Sequence, residues 1–218
     1  QFDGLLKAAP NLIHPVAFVL PQDNAVRPWW MVRAGLYLYD ALAGFGSLPR
    51  SRMLGRRDRA LRVPLKGRAK GFVYWDCTVD DARLTILNAV DAGSAGAEIR
   101  TRTAFVSATR DHRTWTASLS DGTEVQARAV VNAAGPWLVE VEGRLGQWKR
   151  NTMKLVKGSH IVVPSLFDGD HAYMLQQPDR RIVFAIPYLD DYTLVGTTDR
   201  DYAGDPGGAQ ATDDEIAY

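Results

Sequence analysis

Hydrophobic and polar positions change their rhythm several times along the chain. Residues 12–20 form an almost unbroken apolar run closed by Pro21, which predicts an extended segment. Residues 28–42 carry apolar positions at helical spacing, and Pro28 suits a first helical turn, where its missing N–H is not needed. Gly44 and Gly46 supply a stop. A basic stretch follows over 47–70, with Arg50, Arg52, Arg56, Arg57, Arg59, Arg62, Lys66, Arg68 and Lys70, and reads as a surface loop with a short helix. Thr78, followed by Asp80 and Asp81, reads as the N-cap of a mostly buried helix over 82–90 that Gly93 and Gly96 end.

Residues 98–109, 115–120 and 124–132 alternate in strand fashion, and Asp121-Gly122 marks a hairpin turn. Over 129–135 alternation gives way to a continuous run of small apolar residues, as expected of a strand buried on both faces of a parallel sheet. Further strands are predicted at 153–156, 160–164, 172–176, 182–187 and 193–197, together an antiparallel sheet. Residues 204–208 form a loop, and Thr212 opens a helix. The fold class is therefore mixed α+β.

Composition narrows this picture without redirecting it. The 218 residues are 46% hydrophobic and 23% charged, which is globular and excludes a long disordered chain. With 26 basic and 25 acidic residues the formal charge is +1, so the electrostatic case for a nucleic-acid partner is missing. Cys77 is the single cysteine, which excludes an intramolecular disulfide and a cysteine-rich zinc site and favours a reducing compartment. The apolar stretch 16–20 is far short of a membrane span, and no secretory signal is visible. The chain opens on Gln1 and closes on the start of a helix, so it is expected to be a piece of a longer protein.

Three clusters can carry chemistry. Asn132-Ala133-Ala134-Gly135-Pro136-Trp137 offers small residues at a strand end, fit either for a tight turn or for close approach of a bulky ligand. His160, in the segment KGSHIVVP at 157–164, heads an apolar strand, where it is a structural residue or a general base. Gly196-Thr197-Thr198-Asp199 ends a strand, as an ordinary exit or as a polar substrate contact. No paired-His metal spacing and no nucleophile elbow occurs. Gly44-Phe45-Gly46 lacks the third glycine and the strand-turn-helix setting of a dinucleotide-binding turn.

Taken in order, these clusters resemble one family. Residues 74–84 resemble the YxDCxVDDARL segment of FAD-dependent, respiratory glycerol-3-phosphate dehydrogenases. The motif VNAxGPW at 131–137, KGSHIVVP at 157–164, IVFxIPY at 182–188, GTTD at 196–199 and RPWWMVRAGL at 27–36 extend the resemblance over nearly the whole chain. The resemblance implies the D-amino-acid-oxidase-like flavoprotein fold: an antiparallel substrate-cap sheet with helices, plus an incomplete part of a Rossmann-type FAD domain. It implies cap segments at 1–70 and 141–201, a partial FAD-binding segment at 71–140, and a loop with the start of a helix at 202–218.

It also implies oxidation of sn-glycerol 3-phosphate to dihydroxyacetone phosphate, with electrons passing through FAD to quinone, in a cytoplasmic enzyme peripheral to the inner membrane. The basic run over 50–70 is where membrane contact is expected, and self-association is expected from an exposed apolar strand edge at 129–132. By resemblance, Phe105, Ala133, Ala134 and Gly135 would meet FAD, His160 would be the catalytic residue, and Lys157, Ser159, Thr197 and Thr198 would face the substrate. The family's GxGxxG turn and its GGKxTTYR segment do not occur in the chain, so the isolated polypeptide is expected to hold no FAD and to be inactive. An amino-acid or amine oxidase of the same superfamily, and a non-catalytic binding module on the same fold, stay open as alternatives.

Overall fold

The computed structural model describes residues 2–22, 27–43, 48–65, 70–146 and 152–218. Gly44, Gly46, Lys66 and Arg68, which the sequence reading used, lie outside these residues. The chain divides into one compact unit of residues 1–87, 158–200 and 210–218 and another of 88–157 and 201–209.

The first unit opens on helix α1 (Phe2–Ala8) and is built on a seven-stranded sheet. The apolar run of the N-terminal part is strand β1 (Ile13–Pro21), and β2 (Arg52–Met53), β3 (Gly71–Val79), β7 (Leu155–Pro164), β8 (Ala172–Gln176), β9 (Ile182–Tyr188) and β10 (Tyr192–Tyr202) complete it in the order β2-β3-β1-β8-β9-β10-β7. β1 and β3 pair antiparallel from Ile13 opposite Val79 to Pro21 opposite Gly71. β8 and β9 are antiparallel, as are β9 and β10, while β1 and β8 are parallel.

Two apolar layers follow from side-chain alternation along these strands. Val19, Val73, Tyr173 and Ala185 form one, closed by Leu54 and packed by Leu61 and Leu65 of the basic stretch. That stretch thus covers sheet with its apolar residues, some in helix α3 (Arg59–Arg62). On the other face Phe18 stacks on Tyr74 at 5.4 Å between ring centroids and meets the edge of Phe184 at 6.0 Å. Helix α2 (Trp29–Ala43) lies over this second layer, with Leu36 buried against Leu20 and Phe72. Arg33 of α2 donates to Ser51 Oγ at 2.9 Å, and Ser51 Oγ donates to Asp40 at 2.6 Å, which fixes the helix to the chain beyond it. Each fully buried Val or Phe contributes about 1.5–3 kcal/mol, so these layers dominate the unit's stability.

The second unit holds a three-stranded antiparallel sheet of β4 (Phe105–Asp111), β5 (Thr114–Leu119) and β6 (Glu124–Ala127). The Asp121-Gly122 turn is as expected: Gly122 has φ +83°, and Asp121 accepts from the Thr123 amide at 3.0 Å. Helix α5 (Leu138–Arg144) follows a single 3-10 turn at Gly135–Trp137.

Several expectations need correction. Thr78 lies in β3, and the helix it was expected to cap, α4 (Asp81–Ser94), is capped by Asp80, whose carboxylate accepts from the Arg83 amide at 2.9 Å. The same helix is not buried: Ile86 is 62% exposed and Val90 57%. It runs through Gly93 to Ser94, and the turn that closes it puts Gly96 at a φ of +93°, which favours glycine. The strand expected over 98–109 begins only at Phe105, and that expected over 124–132 stops at Ala127. Residues 128–134 have no strand pairing, and Val131 is 87% exposed. A parallel strand needs hydrogen-bonding neighbours, and β6 is itself an edge strand of its small sheet.

Candidate functional site

Alternation along β7 sorts the residues of the KGSHIVVP segment. Gly158, His160 and Val162 project to one face and are exposed, while Lys157, Ser159 and Ile161 project to the other and are half-buried. The sequence reading grouped Lys157, Ser159 and His160, and the strand separates them.

The His160 face is closely packed by glycines. A Cβ built at Gly196 would fall 2.5 Å from His160 Cδ2 and 2.6 Å from the Ser159 carbonyl oxygen. One built at Gly158 would collide with Thr197 Oγ1. Glycine at both positions therefore lets the His160 ring and the Thr197 side chain lie down on β10 and β7. His160 has no hydrogen-bond partner among the described residues, and its side chain is exposed.

The opposite face is structural. Thr198 is buried and donates to Glu215 Oε1 at 3.1 Å, and the Ser159 amide donates to Thr198 Oγ1 at 3.4 Å. Glu215 belongs to helix α6 (Asp213–Ala217), where it closes a capping box with Thr212: the Thr212 amide donates to Glu215 Oε2 at 2.8 Å. The Thr212-x-x-Glu215 spacing was a readable signal for this box, but its tie to Thr198 was not. Of the four residues expected at the substrate, only Thr197 shares the His160 face.

A second histidine shows what a structural role looks like here. His171 is buried, and its Nε2 lies 2.9 Å from the Tyr173 hydroxyl. That hydroxyl donates to the Leu61 carbonyl at 2.9 Å, so His171 Nε2 must be the donor to it. Burial holds the His171 imidazole below its ordinary value, against the opposing effect of Asp170. Burial and then Asp76 push the Cys77 thiol up, so it is no activated nucleophile.

The residues expected at a flavin lie in the second unit and are assembled around α5. Asn132 donates from Nδ2 to the Leu138 carbonyl at 3.0 Å and accepts from the Ala134 amide at 3.2 Å. From the far end of α5, Arg144 donates to the Phe105 carbonyl at 2.6 Å. The structure thus links Phe105 and the Ala133–Ala134–Gly135 turn through one helix, and it occupies the Phe105 carbonyl in doing so. Gly135 has φ +54°, and a Cβ there would meet nothing within 4 Å. With side chains no larger than methyl at 133–135, the turn fits close approach of a large flat cofactor such as FAD. Among the described residues no group of three or more His, Cys, Asp or Glu could hold a metal ion.

Comparison with known proteins adds the following. The FAD dependent oxidoreductase family matches residues 5–218. Glycerol-3-phosphate dehydrogenase of Pseudomonas aeruginosa is 50% identical over 98% of this chain and 42% of its own length. D-erythritol 1-phosphate dehydrogenase of Brucella abortus is 45% identical over 98% of this chain and 44% of its own length. The crystal structure of the glycerol-3-phosphate dehydrogenase from Bacillus halodurans complexed with FAD superposes with a TM-score of 0.70 at 25% identity, covering 99% of this chain and 40% of that one. The chain therefore spans about two fifths of the length of the curated relatives it matches.

Proposed function

The chain belongs to the FAD-dependent oxidoreductase family, and from that premise we propose that it is part of a dehydrogenase that oxidises sn-glycerol 3-phosphate to dihydroxyacetone phosphate. The observation that carries this reading is the His160 face of β7 and β10: an exposed imidazole, without a hydrogen-bond partner among the described residues, lying against Gly196 on the face where Thr197 lies against Gly158.

The reaction removes a hydride, with its two electrons, from an alcohol carbon and a proton from its hydroxyl. FAD, when bound, supplies the two-electron acceptor. His160 takes the hydroxyl proton as general base, and the Thr197 hydroxyl orients the alcohol beside it. Ala133, Ala134 and Gly135 would give the cofactor a backbone edge with no side chain larger than methyl, and Asn132 and Arg144 hold that edge in shape. Lys157 contributes charge from the opposite face of β7, and Ser159 and Thr198 keep the strand pair in register.

Three further features belong to the same reading. Electrons pass on to a quinone, and the enzyme is cytoplasmic and peripheral to the inner membrane. What supports membrane contact is the basic stretch, where Arg56, Arg57 and Arg59 are exposed, although Arg52 is spent on an ion pair with Asp58 at 2.6 Å. Among the described residues no helix is long and apolar enough to cross a membrane. What supports self-association is exposed apolar surface such as Val131 and Ile86. By itself the chain holds no stoichiometric FAD, since neither a GxGxxG turn nor a GGKxTTYR segment is among its residues. A flavin band near one equivalent in the purified chain would overturn that statement.

The test of the reaction is a hybrid in which these 218 residues replace the aligned stretch of the Pseudomonas aeruginosa relative. The hybrid should reduce an artificial electron acceptor with glycerol 3-phosphate faster than with D-erythritol 1-phosphate or glycine. A preference for either of the latter would overturn the assignment.

A further inference from the structure

A cavity of about 760 Å³ lies away from His160, between α2 and the sheet. That is within the range of small-molecule sites. Met31, Leu36, Met174 and Ile182 make its apolar wall, and Tyr39 and Tyr74 add ring surface. Burial raises both phenols, Tyr39 to about 12 with help from Asp76, so both stay neutral. The charge of the cavity is then set by Arg27, Arg180 and Asp76, two cations against one anion. Neither guanidinium has an ion-pair or hydrogen-bond partner among the described residues, whereas Asp76 already accepts from the Cys77 amide at 2.8 Å.

Gly35 is the second observation. It sits in the interior of α2 and on the cavity wall, with no positive φ to require glycine and nothing within 4 Å of a Cβ placed there. Interior glycine weakens a helix relative to alanine. Neither backbone conformation nor packing accounts for this one. What its missing side chain provides is room in the cavity.

We propose that this cavity binds a small amphipathic acid, its apolar body against Met31, Leu36 and Met174 and its anionic head between Arg27 and Arg180. The inference concerns a site separate from the His160 face and does not depend on the dehydrogenase reading. The two arginines select the charge, and the space beside Gly35 admits the chain.

The test is calorimetric titration of the 218-residue chain with sodium decanoate, with decanol and inorganic phosphate as controls and thermal melting of each variant as the check on folding. Decanoate should bind saturably at one site, about tenfold or more tightly than decanol, and phosphate should not compete. Gly35→Leu should abolish binding while melting no lower than the parent chain, because the added side chain enters open space. The double change Arg27→Ala and Arg180→Ala should weaken decanoate about tenfold or more and leave decanol unchanged. No saturable binding, equal affinity for decanoate and decanol, or decanoate binding undiminished in both variants would overturn the proposal.

Discussion

The backbone of Gly196 lies directly beneath the ring of His160, so close that a methyl group on residue 196 would stand 2.5 Å from His160 Cδ2. The same methyl would stand 2.6 Å from the Ser159 carbonyl, which belongs to the strand and cannot swing aside. Gly196→Ala should therefore destabilise the chain by about 1–3 kcal/mol through overpacking. Thermal or urea unfolding checks this, and an unchanged midpoint would mean that β7 and β10 are not so closely paired.

His160 itself should be dispensable for folding, since its side chain is exposed and has no hydrogen-bond partner among the described residues. In the FAD-loaded hybrid, His160→Gln should lower kcat by about 10²–10⁴-fold, the usual contribution of a general base. The melting temperature should move little. Steady-state kinetics beside a melting curve separates the two.

Asn132 serves both ends of the turn expected at the cofactor, as donor to Leu138 and acceptor from Ala134. Asn132→Ala removes both bonds and should cost about 1–3 kcal/mol. In the hybrid it should also weaken FAD retention, measured as flavin released on dilution.

His171 gives the chain a pH dependence whose sign is fixed by burial. Its folded-state pKa lies below the unfolded value, so its neutral form is compatible with the fold and its protonation is not. The unfolded chain takes up the proton first, at about pH 6.5. Stability from this residue is thus intact above that pH and falls as pH drops toward the folded pKa. His171→Gln keeps a donor for Tyr173 and should flatten the decline in melting temperature between about pH 7 and 5.

Much of the first unit is written in local pattern. The apolar run closed by Pro21, the helix opened near Pro28, and the strands at 172–176 and 182–188 emerge where period and breakers place them. Strand β3 was obscured because Thr78, Asp80 and Asp81 read as a helix start, whereas pairing with β1 carries the strand through Val79. The run 129–134 has the composition of a buried parallel strand but no neighbour to pair with, and composition cannot supply one.

At the candidate site, the residues were legible and their grouping was not. Period-two alternation puts His160 across the strand from Lys157 and Ser159, and the hydroxyl of Thr198 is committed to Glu215, seventeen positions on. The cavity beside Gly35 arises from a helix lying over strands distant in sequence, which no local window reports.

The dehydrogenase reading rests most directly on whether glycerol 3-phosphate delivers electrons to the flavin. Anaerobic mixing of the FAD-loaded hybrid with glycerol 3-phosphate, followed by flavin absorbance, measures this in a single turnover. The account predicts loss of the oxidised-flavin band with glycerol 3-phosphate and its persistence with glycine. A hybrid that retains FAD yet stays oxidised with glycerol 3-phosphate, or is bleached by glycine instead, would contradict it.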